Sequence, residues 1–86
     1  IHPSLLPSFK GINAIKQAYE SGVKITGCSV HLVINELDSG PLLIQAAIPV
    51  YDTDSLETLS TRIQICEHRI LPVGISIAAE RWRGLE

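Results

Sequence analysis

The sequence lacks the excess of positive charge that a nucleic-acid-binding surface needs. Its 86 residues contain seven Lys and Arg against nine Asp and Glu, which gives a net charge of −2 at pH 7. This balance argues against nucleic acid as a partner. No run of about 20 apolar residues is present, which argues against a membrane-spanning helix. The first residues show no secretory signal, and a start at Ile1 without Met suggests a piece of a longer protein.

Cysteine is scarce, with only Cys28 and Cys66 in the sequence. Two cysteines cannot build a disulfide framework or a four-ligand zinc site, so we expect no metal. They also favour a reducing, cytoplasmic setting. Both fall on apolar faces of the elements predicted below, so we predict that they are buried thiols. A glycine-rich phosphate loop is also missing, because Gly11 and Gly22 do not form that motif.

The apolar pattern predicts the order helix, strand, strand, helix. Two prolines make the first eleven residues a fixed loop. A helix is predicted over residues 11–21, closed by Gly22. Alternating apolar residues predict strands over residues 23–34 and 42–50, joined by a loop compatible with an antiparallel hairpin. Two helices and one strand pair predict an α/β protein, and this order fits the end of a larger α/β sheet.

The last helix is predicted to be long. Asp54 and Glu57 have the spacing of a capping box, with Asp54 as the N-cap. Pro72 is expected to kink or break the helix because proline removes a backbone donor. Apolar residues follow the cap at spacings of three and four and form one stripe: Leu56, Leu59, Ile63, Cys66 and Ile70.

Several polar residues could carry chemistry. His2 in its proline-stiffened loop is a candidate proton carrier, and Asp38 in the loop after the first strand could orient a histidine. Taken alone, their positions favour ordinary roles: a terminal histidine in solvent and a turn aspartate bonded to its own backbone. His31 on the first strand is likewise expected to be a structural residue.

A second polar group is predicted on the long helix, away from its apolar stripe. Gln64 and Glu67 are three residues apart, so they share a helix face and could hold one polar ligand together. His68 lies beside them. The ordinary interpretation of such a group is a solvated helix face.

Four strings of the sequence together resemble the phosphoribosylglycinamide formyltransferases of purine synthesis. They are HPSLLPSFKG at residues 2–11, TGCSVH at 26–31, LDSGP at 37–41 and RIQICEH at 62–68. They occur in the family's order and at near-family separations, and the resemblance extends from Ile1 to about residue 80. One string would be weak evidence, but four in register are strong.

The resemblance implies a Rossmann-like α/β sheet of formyltransferase type, of which residues 1–86 are the C-terminal portion. It implies transfer of a formyl group from 10-formyltetrahydrofolate, as co-substrate, to glycinamide ribonucleotide. His2 matches the family's catalytic histidine and Asp38 its catalytic aspartate. The family's catalytic asparagine would directly precede Ile1, and its phosphate loop lies in the N-terminal half, so we expect the chain alone to be inactive.

The resemblance also assigns binding positions. Gln64 and Glu67 match positions that contact glycinamide ribonucleotide. Ser29 and His31 match polar positions near the catalytic aspartate, and Ser29 stands where the family often has threonine. The loop that borders the pterin is matched by four residues: Asn35, Glu36, Leu37 and Asp38.

Two alternatives stay open at the level of sequence. The first is another formyl-group enzyme of the same fold, either a formyltetrahydrofolate hydrolase or a methionyl-tRNA formyltransferase. The string at residues 2–11 and the Gln64/Glu67 pair favour the purine enzyme over these. The second is a non-catalytic remnant, which the missing asparagine supports.

Overall fold

A computed structural model describes residues 1–33 and 40–84. The elements are α1 (Ala14–Ser21), β1 (Ile25–His31), β2 (Leu42–Pro49) and α2 (Leu56–Arg83). The two strands pair antiparallel, with Cys28 opposite Ala46, which confirms the predicted hairpin. The predicted α/β arrangement of two helices and a strand pair is therefore confirmed.

The first helix is shorter than predicted and begins at Ala14 instead of residue 11. Gly11 and Asn13 adopt left-handed backbone angles, with φ of 86° and 59°, which a right-handed helix cannot include. Gly22 ends the helix as predicted, with φ of 78°. This left-handed conformation explains why glycine occupies position 22, because residues that carry a Cβ are strained there.

Strand β1 is also shorter than the predicted 23–34, and it is buried on both faces. Every residue from Thr26 to His31 is buried, polar ones included. One face packs against α2, and the other is covered by the loop of residues 1–9. Alternation of apolar and polar residues therefore does not separate core from solvent in this strand.

Strand β2 ends at Pro49, one residue earlier than predicted. Its partly buried residues Ile44, Ala46 and Ile48 pack against the core. Pro49 at the end of the strand fits the rule that proline, which has no backbone N–H, stays out of strand interiors.

The N-cap of α2 is Ser55, so the predicted Asp54/Glu57 capping box is wrong by one residue. Ser55 Oγ accepts a hydrogen bond of 3.1 Å from Thr58 N, and Thr58 Oγ1 accepts one of 2.9 Å from Ser55 N. Asp54 cannot serve as the cap because its carboxylate binds the guanidinium of Arg62, at 2.5 and 2.6 Å.

The predicted break at Pro72 is absent, and α2 runs through this residue to Arg83. Ile70 and Gly74, on either side of the proline, are both buried, and Gly74 lies close to Val30 of β1. Packing on both sides stabilises helical geometry where the proline removes one backbone hydrogen bond. No helix in the described ranges is long and apolar enough to cross a membrane.

The core forms where the predicted apolar stripe of α2 meets β1. Leu56, at the start of the stripe, stays 37% exposed. The prediction of two buried thiols is confirmed, because both cysteines belong to this core. The buried cluster consists of Cys28 and Val30 from β1 and Leu59, Ile63, Cys66 and Ile70 from α2.

Candidate functional site

The N-terminal loop is attached to β1 like a short extra strand. His2 N donates to Ser29 O and Ser29 N donates to His2 O, both at 2.8 Å. The His2 side chain is only 5% exposed, and its Nε2 lies 3.0 Å from the carbonyl oxygen of Phe9. A carbonyl only accepts, so Nε2 carries a hydrogen. His2 is therefore a fixed, buried histidine and not a terminal residue in solvent.

A buried polar network centred on Ser29 fixes this loop. Ser29 Oγ donates to Ser4 O at 2.6 Å and accepts from Leu6 N at 3.1 Å. Gln45 Nε2 of β2 donates to Ser29 Oγ at 2.9 Å and to Leu6 O at 2.8 Å. The sequence prediction placed Ser29 near the site but missed Gln45. The available signal was one long polar side chain in the otherwise apolar strand β2.

The polar group predicted on α2 lines one small cavity. Gln64, Glu67 and His68 line an open cavity of about 160 Å³ together with Ile1 and Leu71. The predicted common face of Gln64 and Glu67 is thus present. Ile1 brings the N-terminal loop to the same cavity, so residue 2 and the helix pair belong to one region of the molecule.

The electrostatics of this cavity centre on Glu67. Partial burial raises the pKa of the Glu67 carboxyl above its usual range, because water solvates the charged form less well there. His68 and His2 act in the opposite direction and partly offset the rise in pKa. The Glu67 carboxyl group is therefore partly desolvated and lies within electrostatic reach of two histidines.

His31 is buried at the end of β1, and its ring Nδ1 lies 3.0 Å from the carbonyl oxygen of Leu32. Asp38 and the predicted pterin-loop residues Asn35, Glu36 and Leu37 lie outside the described residues. The prediction that Asp38 orients a histidine therefore stays a prediction.

The ends of the segment that contains Asp38 are held together. Leu32 N donates to Pro41 O at 3.0 Å. A Cβ on residue 40 would lie 1.4 Å from Leu32 O, so the backbone at Leu32 and at Gly40 approaches at a distance that only glycine permits. Within residues 1–33 and 40–84, no three His, Cys, Asp or Glu side chains form a possible metal site.

The described elements define a small α/β unit with a buried histidine on a loop and a carboxylate on the neighbouring helix. The chain belongs to the formyl transferase family, whose sequence model matches residues 1–75. The resemblance expected from the four sequence strings is thereby confirmed.

Individual relatives give the same result. The chain is 46% identical over 80 residues to the phosphoribosylglycinamide formyltransferase of Escherichia coli, covering 93% of this chain and 38% of that protein. It is 51% identical over 79 residues to the human trifunctional purine biosynthetic protein adenosine-3, covering 92% of this chain and 8% of that protein.

Solved structures agree with this assignment. The crystal structure of phosphoribosylglycinamide formyltransferase from Anaplasma phagocytophilum superposes with a TM-score of 0.87 at 54% identity, covering 92% of this chain and 38% of that chain. A glycinamide ribonucleotide transformylase from Symbiobacterium toebii gives a TM-score of 0.86 at 52% identity, covering 92% of this chain and 37% of that chain. The chain thus spans less than two fifths of the length of each of these relatives.

Proposed function

We propose that a protein containing this chain transfers a formyl group from 10-formyltetrahydrofolate to the amine of glycinamide ribonucleotide. Residues 1–86 would supply the C-terminal portion of the formyltransferase domain. The observation that carries the proposal is the 46% identity to a phosphoribosylglycinamide formyltransferase over 93% of this chain. The two free thiols also support a cytoplasmic location.

His2 is the proposed catalytic residue. Attack of the substrate amine on the formyl carbon produces a tetrahedral oxyanion, and its collapse expels the folate nitrogen, which takes a proton. A protonated His2 can donate a hydrogen bond to the oxyanion, a contribution of about 3–4 kcal/mol for a well-placed donor. Two observations support this role: backbone hydrogen bonds with Ser29 fix the loop, and burial together with the contact between Nε2 and Phe9 O fixes the ring before the substrate binds. Asp38 is proposed to stabilise the imidazolium and to assist proton transfer from the amine.

Gln64 and Glu67 are the proposed contacts for glycinamide ribonucleotide. They line one cavity, and the carboxylate can accept charge-assisted hydrogen bonds from the substrate amine or sugar hydroxyls. The pterin of the folate is proposed to lie against residues 35–38. No step in this proposal requires a metal ion.

A chimera of the Escherichia coli relative tests this function. Its matching segment, 38% of that protein, is replaced by this chain, and formylated ribonucleotide is measured by mass spectrometry. We expect no transfer by the chain alone and transfer by the chimera. His2→Ala should lower the chimera's rate by about 10²–10³-fold, the usual effect of losing an oxyanion donor.

The same chimera separates the alternatives. A folded chimera that releases formate from 10-formyltetrahydrofolate without transfer would indicate a hydrolase, and one that formylates only methionyl-tRNA would indicate the tRNA enzyme. A folded chimera inactive in all three assays would support the non-catalytic remnant. Circular dichroism of the chimera establishes folding in each case.

A further inference from the structure

Two thiols from distant parts of the chain touch inside the core. Cys28 lies on β1 and Cys66 on α2, 38 residues later, yet their Sγ atoms are 3.2 Å apart. Neither is in a disulfide, and their side chains are 0% and 9% exposed. The formyl-transfer chemistry proposed above uses neither thiol. The two sulfur atoms would have to move only about 1 Å closer to reach the 2.05 Å bond length of a disulfide.

The two thiols differ in their access to small molecules. Cys66 lines an open cavity of about 470 Å³ between β2 and α2, and Cys28 is not among the lining residues. Burial raises the pKa of the Cys28 thiol to about 12, so Cys28 remains protonated at neutral pH. Cys66 is therefore the thiol that a small oxidant meets first.

We propose that Cys66 is an oxidisable thiol and Cys28 its resolving partner, so that hydrogen peroxide converts the pair into a disulfide between α2 and β1. The sulfur of Cys66 attacks one peroxide oxygen, which gives a sulfenic acid and one water molecule. The sulfur of Cys28 then attacks the sulfur of Cys66 and breaks its S–O bond, and the Cys28 proton passes to the departing hydroxyl, which leaves as a second water molecule. Both cysteines lose a hydrogen, and the peroxide is reduced to two water molecules.

This proposal goes beyond formyl transfer and does not depend on it. The disulfide would connect the helix that carries Gln64 and Glu67 to the strand that holds the His2 loop. Oxidation would therefore fix the two halves of the candidate site to each other through the core.

Peroxide oxidation of the purified chain, followed by peptide mass spectrometry, tests the order of events. We expect an intramolecular Cys28–Cys66 peptide pair, loss of two hydrogens, and reversal by dithiothreitol. Cys28→Ser should leave a sulfenic acid at Cys66 that dimedone captures, whereas in Cys66→Ser the buried Cys28 should react at least about tenfold more slowly. Disulfide-linked dimers, or a sulfinic acid at Cys66 with Cys28 still a thiol, would overturn the proposal.

A measurement on the unaltered chain avoids any effect of the substitutions on folding. The fraction of disulfide is determined at equilibrium in one glutathione buffer, with and without 6 M guanidinium chloride. A fold that holds the two sulfurs in contact raises their effective concentration, so we expect at least about tenfold more disulfide relative to thiol in the buffer without denaturant. An equal or smaller ratio in that buffer would overturn the proposal.

Discussion

The main chains of His2 and Ser29 exchange two hydrogen bonds of 2.8 Å, which attach the N-terminal loop to the edge of β1. The Ser29 side chain adds three more hydrogen bonds, to Ser4 O, Leu6 N and Gln45 Nε2. The position of the buried histidine therefore depends on one small polar residue in the strand beneath it.

Replacing Ser29 by Ala should destabilise the chain. The change removes the side-chain hydrogen bonds and leaves the buried Leu6 N–H without its acceptor, which costs about 1–3 kcal/mol. The midpoint and slope of urea unfolding, followed by circular dichroism, give the change in free energy. Ser76→Ala is the matched control on the exposed face of α2, where an effect below about 0.5 kcal/mol is expected. Equal unfolding midpoints for the two variants would contradict the structural role of the Ser29 network.

Patterns within one element were predictable from the sequence, and contacts between distant segments were not. The spacing of three between Gln64 and Glu67 is a local property of a helix, so their common helix face followed from the sequence. The burial of Ser29 did not, because its partner Ser4 lies 25 residues earlier in the chain. The same limit applies to Gln45, which meets Leu6 across 39 residues.

The N-cap of α2 shows a similar limit. Asp54 has the residue type and spacing of a cap, and Ser55 beside it has an equally suitable side chain. The choice is decided by Arg62, which lies eight residues away and takes the Asp54 carboxylate. Propensity alone cannot rank two adjacent good caps, because the deciding partner belongs to a later turn of the helix.

Gly74 should not tolerate a larger side chain, although it lies inside a helix where Ala is intrinsically better by up to about 1 kcal/mol. A Cβ there would lie 2.5 Å from Val30 Cγ1 and 2.9 Å from Val30 Cβ, so α2 would have to move from β1. We expect Gly74→Ala to lower the free energy of unfolding by about 1–3 kcal/mol.

Chemical denaturation of Gly74→Ala and of the control Gly84→Ala checks this contact. At Gly84 the nearest atom to an added Cβ is 3.4 Å away, so that substitution should be close to neutral. The cost at position 74 should also shrink in a Val30→Ala background, since the two side chains share one contact. A stabilised Gly74→Ala chain would show that α2 does not pack on β1 as described.

Asp54 should make the chain less stable in acid. The guanidinium of Arg62 and hydrogen bonds from Tyr51 N and Thr58 Oγ1 lower the pKa of Asp54 from 3.8 to about 2. A depressed folded-state pKa gives stability that is complete above the unfolded-state value and is lost as the pH falls through the folded-state value. The loss attributable to Asp54 is therefore expected between about pH 4 and pH 2.

Urea midpoints measured from pH 6 to pH 2 test this pH dependence. Asp54→Asn should have a lower midpoint at pH 6 and a smaller decrease between pH 4 and pH 2 than the unaltered chain. Asp52→Asn is the control, because Asp52 forms an ion pair with Lys24 in which both side chains are largely exposed. Parallel pH profiles for Asp54→Asn and the unaltered chain would contradict the assigned role.

Glu67 should affect the nucleotide substrate far more than the folate. In the active chimera, Glu67→Ala removes the partly buried carboxylate from the cavity that it shares with Gln64, and the loss of its charge-assisted hydrogen bonds should weaken glycinamide ribonucleotide by about 1.5–3 kcal/mol. Steady-state kinetics with each substrate varied in turn separates the two effects. Glu57→Ala, in the exposed first turn of α2, is the control.

The pH dependence of nucleotide binding gives a second test of Glu67. Burial raises the pKa of Glu67, so as the pH falls this carboxylate should become protonated, and nucleotide affinity should decline, at a higher pH than for an ordinary glutamate. Glu67→Gln should remove this decline. An unchanged KM and kcat for the nucleotide in Glu67→Ala would return Glu67 to the role of a solvated helix residue.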